Sequence, residues 1–254
     1  MVDRHFSQPD LAELYDYFSS WRVSPQDDFY LDLVMDARSV LDVGCGTGKL
    51  QRVARERGHT GRLVGLDPAE AMLEVGRRDR DDVEWILGDL VAGPYDGEAE
   101  PLGEGEFDLV TMSGHAFQVF LTDEEVRANL AAARRALTPQ GRFVFETRNP
   151  GVRGWEAWDP ERVRTVDGPG GRPATCVHRL RGVDGDLVTF TSDYSLEGWA
   201  EPLVSRSTLR FLDAGRLNAL LAEAGLEVSA QYGCWDRSPL TETSAEIITF
   251  ASPA

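Results

Sequence analysis

The sequence predicts an α/β fold built on a doubly wound sheet, and one short stretch carries most of that prediction. Val40, Leu41 and Val43 form an apolar run suited to a strand buried on both faces. Gly44, Gly46 and Gly48, at every second position, let the backbone turn tightly and pass close to a ligand. A helix follows with Leu50, Val53 and Ala54 on one face. Strand, glycine turn and helix in this order form the ligand-binding corner of such a sheet.

The other elements follow from local pattern. Pro9 to Ser20 and Pro25 to Ala37 read as two helices ahead of the first strand. Thr122-Asp123-Glu124-Glu125 is a capping box, and it opens a helix with the apolar stripe Val126, Leu130, Ala133 and Leu137. Thr138-Pro139-Gln140-Gly141 ends that helix in a turn, and Phe143-Val144-Phe145 is a strand. Residues 150–212 break the βα alternation. A loop rich in glycine and proline (Asp167 to Gly171) precedes three strand-like stretches, Ala174 to Leu180, Leu187 to Leu196 and Leu203 to Leu212. An Asp-Gly tip within Val183 to Asp186 joins the first two as a hairpin. These stretches predict an inserted antiparallel sheet that roofs the crevice at the carboxyl ends of the main strands. Asp213 caps a last helix that buries Leu217, Leu220, Leu221 and Ala224 and ends at Gly225. Leu226 to Tyr232 and Glu246 to Ala251 are the final strands. The chain divides into residues 1–149, a β-rich lid at 150–212, and a closing segment at 213–254.

The corner discriminates among ligands. A dinucleotide fingerprint, Gly-x-Gly-x-x-Gly, places its third glycine at position 49, which is Lys49. A P-loop needs a glycine and a hydroxyl residue where Val43 and Leu50 stand. Asp42, just before the turn, would repel a pyrophosphate and suit a cation. S-adenosylmethionine carries an ammonium and a sulfonium and no phosphate, so it suits an acidic glycine corner.

Val40 to Gly48 resembles the first motif of the class I S-adenosylmethionine-dependent methyltransferases, and the similarity continues to about residue 150. Leu63 to Asp67 resembles their second strand, ending in the acidic residue that holds the ribose hydroxyls, about 20 residues past the glycine turn. Pro68 and Met72 resemble the residues that cover the adenine face. Asp89, in Gly88-Asp89-Leu90 after the strand-like Val83 to Leu87, resembles the acceptor of the adenine amino group. Phe107 to Val110 resembles the fourth strand, and Ser113 to Phe117 would lie under the methionine portion. The resemblance implies seven strands in a mostly parallel sheet, closed by an antiparallel C-terminal hairpin. It implies that Asp42, Gly44, Cys45, Gly46 and Gly48 seat the methionine end, with Asp67, Asp89 and Leu90 beyond. It also implies release of S-adenosylhomocysteine, and the lid implies a small or slender acceptor. Two other classes stay open: a protein that binds the cofactor for sensing or a non-methylating reaction, and a nicotinamide oxidoreductase, which Lys49 and Asp42 disfavour.

Bulk properties narrow the partners. A length of 254 residues suits one α/β unit with an insertion. A net charge of −17 argues against nucleic acid and against anionic membranes, and reads as a solubility or high-salt composition. The sequence has no apolar run of about 18 residues, and its start (Met1 to His5) has no signal-peptide core. Cys45, Cys176 and Cys234 are scattered without a CxxC, which points to a reducing cytoplasm. No His, Asp and Glu residues have metal-ligand spacing, and Asp27-Asp28 reads as a solvated helix start. A monomer and a homodimer fit equally.

Methyl transfer is an in-line displacement that asks mainly for alignment and water exclusion. An amine acceptor must arrive neutral, and a hydroxyl acceptor needs a base. His115, past the fourth strand, is the best-placed histidine for that base; alternatively it bonds the loop beneath the cofactor. His5, His59 and His178 read as surface residues. Tyr15 either touches the methionine carboxylate or sulfonium or packs with Leu11, Leu14 and Phe18. Tyr17 and Trp21 read as structural. Arg148, Asn149, Trp155 and Trp158 either shape an acceptor pocket or pack the lid on the core. Trp235-Asp236 reaches the crevice rim or closes the last hairpin.

Overall fold

The computed structural model describes residues 2–19, 21, 25–95 and 102–254. The chain begins with three helices, α1 (Arg4–Ser7), α2 (Pro9–Phe18) and α3 (Pro25–Asp36). The α/β core follows as β1 (Ser39–Val43), α4 (Lys49–Glu56), β2 (Arg62–Asp67), α5 (Glu70–Asp79), β3 (Glu84–Asp89), β4 (Gly93–Pro94), β5 (Phe107–Met112), α6 (Asp123–Ala136) and β6 (Leu137–Arg148). The inserted segment, expected to act as a lid, contributes β7 (Arg164–Asp167), β8 (Pro173–Asp184), β9 (Leu187–Leu196) and β10 (Leu203–Arg210). The core is completed by α7 (Ala214–Glu223), β11 (Leu226–Tyr232) and β12 (Glu246–Pro253).

The main sheet has the order β11-β12-β6-β5-β1-β2-β3-β4. β1 sits at its centre, parallel to β2 and β5, and β12 runs antiparallel to both β6 and β11. Val40, Leu41 and Val43 are buried, as a strand covered on both faces requires. The capping box forms in full: the Glu125 N–H donates to Thr122 Oγ1 at 3.1 Å, and the Thr122 N–H donates to Glu125 Oε2 at 2.9 Å.

Among the described residues the sheet has eight strands rather than seven. The extra one, β4, exists because Asp89 Oδ1 accepts the N–H groups of Val91 and Ala92 and folds the chain back on β3. Gly88 permits that return, since a Cβ there would overlap the Gly93 carbonyl. β6 also starts earlier than expected, at Leu137 rather than Phe143. Its register against β5 slips between Phe107 and Leu109, which absorbs the Thr138 to Gly141 turn. Gly141 is needed there because a Cβ would come within 2.7 Å of the Phe107 carbonyl.

The lid is an antiparallel sheet of order β10-β9-β8-β7, with β7 added to the three expected stretches. β7 is short and mostly exposed, so it leaves no alternating pattern to read. The lid packs on the N-terminal helices: Leu11, Leu14 and Phe18 meet Ala174, Cys176, Tyr194 and Leu196. Three histidines expected at the surface lie inside this frame. His59 is 7 % exposed and its Nε2 stands 2.8 Å from the Ala37 carbonyl, tying the end of α4 to α3. His5 is half-buried 2.9 Å from the Tyr194 hydroxyl, and His178 is half-buried 2.9 Å from Ser192 Oγ. Trp235 packs against Phe29 and Tyr30 of α3. No described helix is long and apolar enough to cross a membrane.

Candidate functional site

A cleft of about 270 Å³ opens where β1 and β5 end, between the glycine corner and the roof of α2 and β7. Gly44, Gly46 and Gly48 all take left-handed backbone, with φ of 72°, 58° and 71°. The Gly44 and Cys45 N–H groups donate to the Leu66 carbonyl at 2.8 and 3.2 Å, fastening the turn to β2. Asp67 completes it: Oδ2 accepts the Gly46 N–H and Oδ1 the Ala69 N–H, both at 2.8 Å. A Cβ on Gly46 would meet no protein atom within 4 Å, so its Cα faces open space at the cleft. The cradle therefore fits a ligand laid against bare backbone. Gly48 serves packing instead, because a Cβ there would overlap the Trp85 ring.

Asp42, 1 % exposed, accepts from Gln51 Nε2 at 2.8 Å and Thr111 Oγ1 at 2.7 Å. Tyr15, Asp42, Gly44, Cys45, Gly46 and Ser113 line one cleft, as a shared site requires. Asp67 stands directly behind Gly46. Pro68 is half-buried ahead of α5, whereas Met72 is fully buried beneath α2 with Ala12, Ala69 and Ala71. Asp89 braces its own turn, with Oδ2 also accepting from the Tyr95 hydroxyl at 2.8 Å, and Leu90 joins the core.

Several residues that bear on the site carry no local signal in the sequence. Lys49, the residue that breaks the dinucleotide fingerprint, donates to the Ser19 carbonyl at 2.8 Å and pairs with Asp27 at 2.9 Å. Asp27 is thus not a solvated helix start; its side chain is 12 % exposed and lines the cleft. Thr47 donates to Asp16 Oδ1 at 2.6 Å, so Thr47 and Lys49, on either side of the third glycine, clamp the N-terminal helices over the corner. Glu146, at the end of β6 and fully buried, gathers three donors: the Tyr30 hydroxyl, Gln26 Nε2 at 2.8 Å and the His115 N–H at 2.7 Å. The His115 ring reaches Glu246 Oε2 at 2.9 Å through Nε2.

The expected acceptor residues are divided. Arg148 donates to Gln118 Oε1 at 2.9 Å and lies over the Trp158 ring, and burial lowers its pKa. The Asn149 side chain holds loops together, donating to the Ser244 carbonyl at 2.9 Å and accepting the Gly151 N–H at 3.0 Å. Trp155 is buried against Val188 and Phe211, so it packs within the inserted segment itself.

Burial dominates the electrostatics here. It pushes the Asp42 carboxyl up from 3.8 to about 6 and raises Asp67 and Glu146 as well. It also raises the Tyr15 phenol to about 12, so that hydroxyl stays protonated at neutral pH and is not a base. Because the folded Asp42 pKa exceeds the ordinary carboxyl value, its contribution to stability is fully present below about pH 4 and is lost as pH rises through about 6. Asp42→Asn should remove on the order of 1 kcal/mol of that loss. Urea unfolding of both proteins at about pH 4 and pH 7 measures it, and equal losses in the two would contradict the assignment.

Comparisons with known proteins agree with this geometry. A family model described as a methyltransferase domain matches residues 40–141. The cypemycin N-terminal methyltransferase of a Streptomyces species is 30% identical over 217 residues, spanning 84% of this chain and 82% of the relative. The structure of an S-adenosylmethionine-bound amino pentose methyltransferase from Micromonospora echinaspora is 25% identical with a TM-score of 0.64, covering 92% of this chain and 93% of that one. A sugar N-methyltransferase from a Streptoalloteichus species shares the fold, with a TM-score of 0.70, 21% identity and coverage of 93% and 92%.

Proposed function

Because the chain belongs to the class I S-adenosylmethionine-dependent methyltransferases, we propose that it methylates an amine nitrogen on a small or slender acceptor. S-adenosylmethionine is the cofactor, and when bound it supplies a methyl group on a sulfonium. The observation that carries the amine reading is the histidine held between two carboxylates beside the cleft. His115 follows the cleft residues Ser113 and Gly114, with its N–H on Glu146 and its ring on Glu246. An amine attacks only in its neutral form, and a base beside the cleft can take the proton of one that is delivered as an ammonium. Relatives named for an N-terminal amine, an amino pentose and a sugar nitrogen support the same chemistry.

In this reading Asp42, Gly44, Cys45 and Gly46 seat the methionine end, with Ser113 across the cleft and Gly48 holding the corner's shape. Asp67 keeps lone pairs for the ribose hydroxyls beyond its two backbone donors. Pro68, Asp89 and Leu90 flank the adenine end, and Met72 packs α5 against α2. Tyr15 offers a hydroxyl donor and a ring face to the cation. Arg148 and Trp155 shape the acceptor side under the lid, with Asn149 fixing the loop between them. The lid excludes water. Residues 1–149, 150–212 and 213–254 act as cofactor half, lid and closing segment. The net charge of −17 supports acceptors other than nucleic acid and a site of action away from anionic membranes, in the bacterial cytoplasm, as a monomer or homodimer.

The test is a screen of amino sugars and peptide α-amines against matched alcohols, read as S-adenosylhomocysteine release and acceptor mass. Release with amines and not with alcohols is expected. Release with alcohols alone would overturn the amine reading.

A further inference from the structure

We propose that Glu246 is a positioning residue that holds His115 in one tautomer, so that Nδ1 receives the proton of the incoming ammonium. The proposal rests on the amine reading above and adds the residue that makes the histidine a directed base.

His115 occupies an unusual backbone. Gly114 and His115 take consecutive left-handed conformations, with φ of 70° and 63°, a region that a side chain disfavours. The strained turn is held from both sides. Glu146 on β6 accepts the His115 N–H at 2.7 Å. Glu246 on β12 lies 2.9 Å from Nε2, with the two side chains only 15 % and 18 % exposed. β12 pairs antiparallel with β6, and that register sets Glu246 opposite Arg148, so two strands fix the carboxylate's place. The charged and titratable groups around the ring are Glu246 from β12, Glu146 and Arg148 from β6, and Tyr30 of α3 across Glu146.

A carboxylate can only accept, so Nε2 must carry the hydrogen in the Glu246 contact. The lone pair of a neutral imidazole then falls on Nδ1, which has no hydrogen-bond partner among the described residues. In the transfer, an ammonium N–H bond breaks and its proton joins Nδ1, giving an imidazolium that faces Glu246. The acceptor nitrogen keeps the electron pair and bonds the methyl carbon. The carbon–sulfur pair returns to sulfur as a neutral thioether, and the product leaves as a methylated ammonium. Charge is conserved at each step.

The test uses the full-length protein labelled with ¹⁵N at histidine ring nitrogens, with and without S-adenosylhomocysteine, across a pH series that extends to alkaline pH. The His115 signals are assigned by their absence in His115→Gln. The wild type should show a protonated Nε2 and an unprotonated Nδ1, and Glu246→Gln should mix or invert the two forms. On an amine from the screen, Glu246→Gln should lower kcat by about 10- to 100-fold, with KM and S-adenosylhomocysteine affinity within about twofold. A wild-type ring protonated at Nδ1, a tautomer unchanged by Glu246→Gln, or a loss confined to KM or cofactor affinity would overturn the role. Failure of the wild type to methylate any amine would instead strike the amine reading, because the tautomer is measured without an acceptor.

Discussion

Gly46→Val is expected to abolish S-adenosylmethionine binding. Two independent effects act at this position. The backbone sits at φ 58°, a region in which a β-branched residue is strained. The new side chain would also project where no protein atom lies within 4 Å, at the wall of the cleft. It would fill ligand space rather than clash with the fold, so binding should fall further than stability. The protein should still unfold cooperatively, with a loss of about 1–2 kcal/mol, while calorimetry detects no cofactor heat. Binding within tenfold of wild type would show that the cofactor does not pass over Gly46. Gly48→Ala makes the opposite case, since its Cβ overlaps Trp85 and its damage should appear mainly as lost stability.

Asp67→Ala is the second large effect. One carboxylate holds the Gly46 and Ala69 N–H groups and is proposed to accept the ribose hydroxyls. Removing it leaves buried donors unpaired, which costs about 1–3 kcal/mol, and cofactor affinity should fall by a similar amount. Asp67→Asn separates the two roles, since its amide oxygen can still accept one backbone N–H but only one. The expected order of S-adenosylhomocysteine affinity is wild type, then Asn, then Ala. Equal affinity in all three would remove the ribose role.

The parts of the structure legible in the sequence are those whose cause is local. The glycine corner follows from Gly44, Gly46 and Gly48, because their left-handed backbone is an intrinsic property of the residues. The capping box of α6 and the Asp-Gly hairpin between β8 and β9 likewise need only neighbours in the chain. The site's long-range pairs are different. Tyr30 and Glu146 are 116 positions apart, and His115 and Glu246 are 131 apart, so no periodicity links them. The second pair meets because β12 turns back antiparallel beside β6, and the first because α3 packs its Tyr30 against the end of β6. Asp27 reads as a solvated helix start for the same reason: its partner Lys49 comes from the far side of β1. His59 illustrates the limit on the apolar side, since a polar residue at a helix end reads as solvated until its carbonyl partner is known. Short elements such as α1, β4 and β7 carry too few residues for a pattern.

The corner formed by Gly44 to Gly48 and Asp67 is proposed to bind S-adenosylmethionine and not a dinucleotide. Calorimetric titration of the purified protein with S-adenosylmethionine, S-adenosylhomocysteine and NAD tests it most directly. Micromolar binding of the first two with no heat from NAD is the predicted result. Binding of NAD, or silence from both adenosyl ligands, would contradict it.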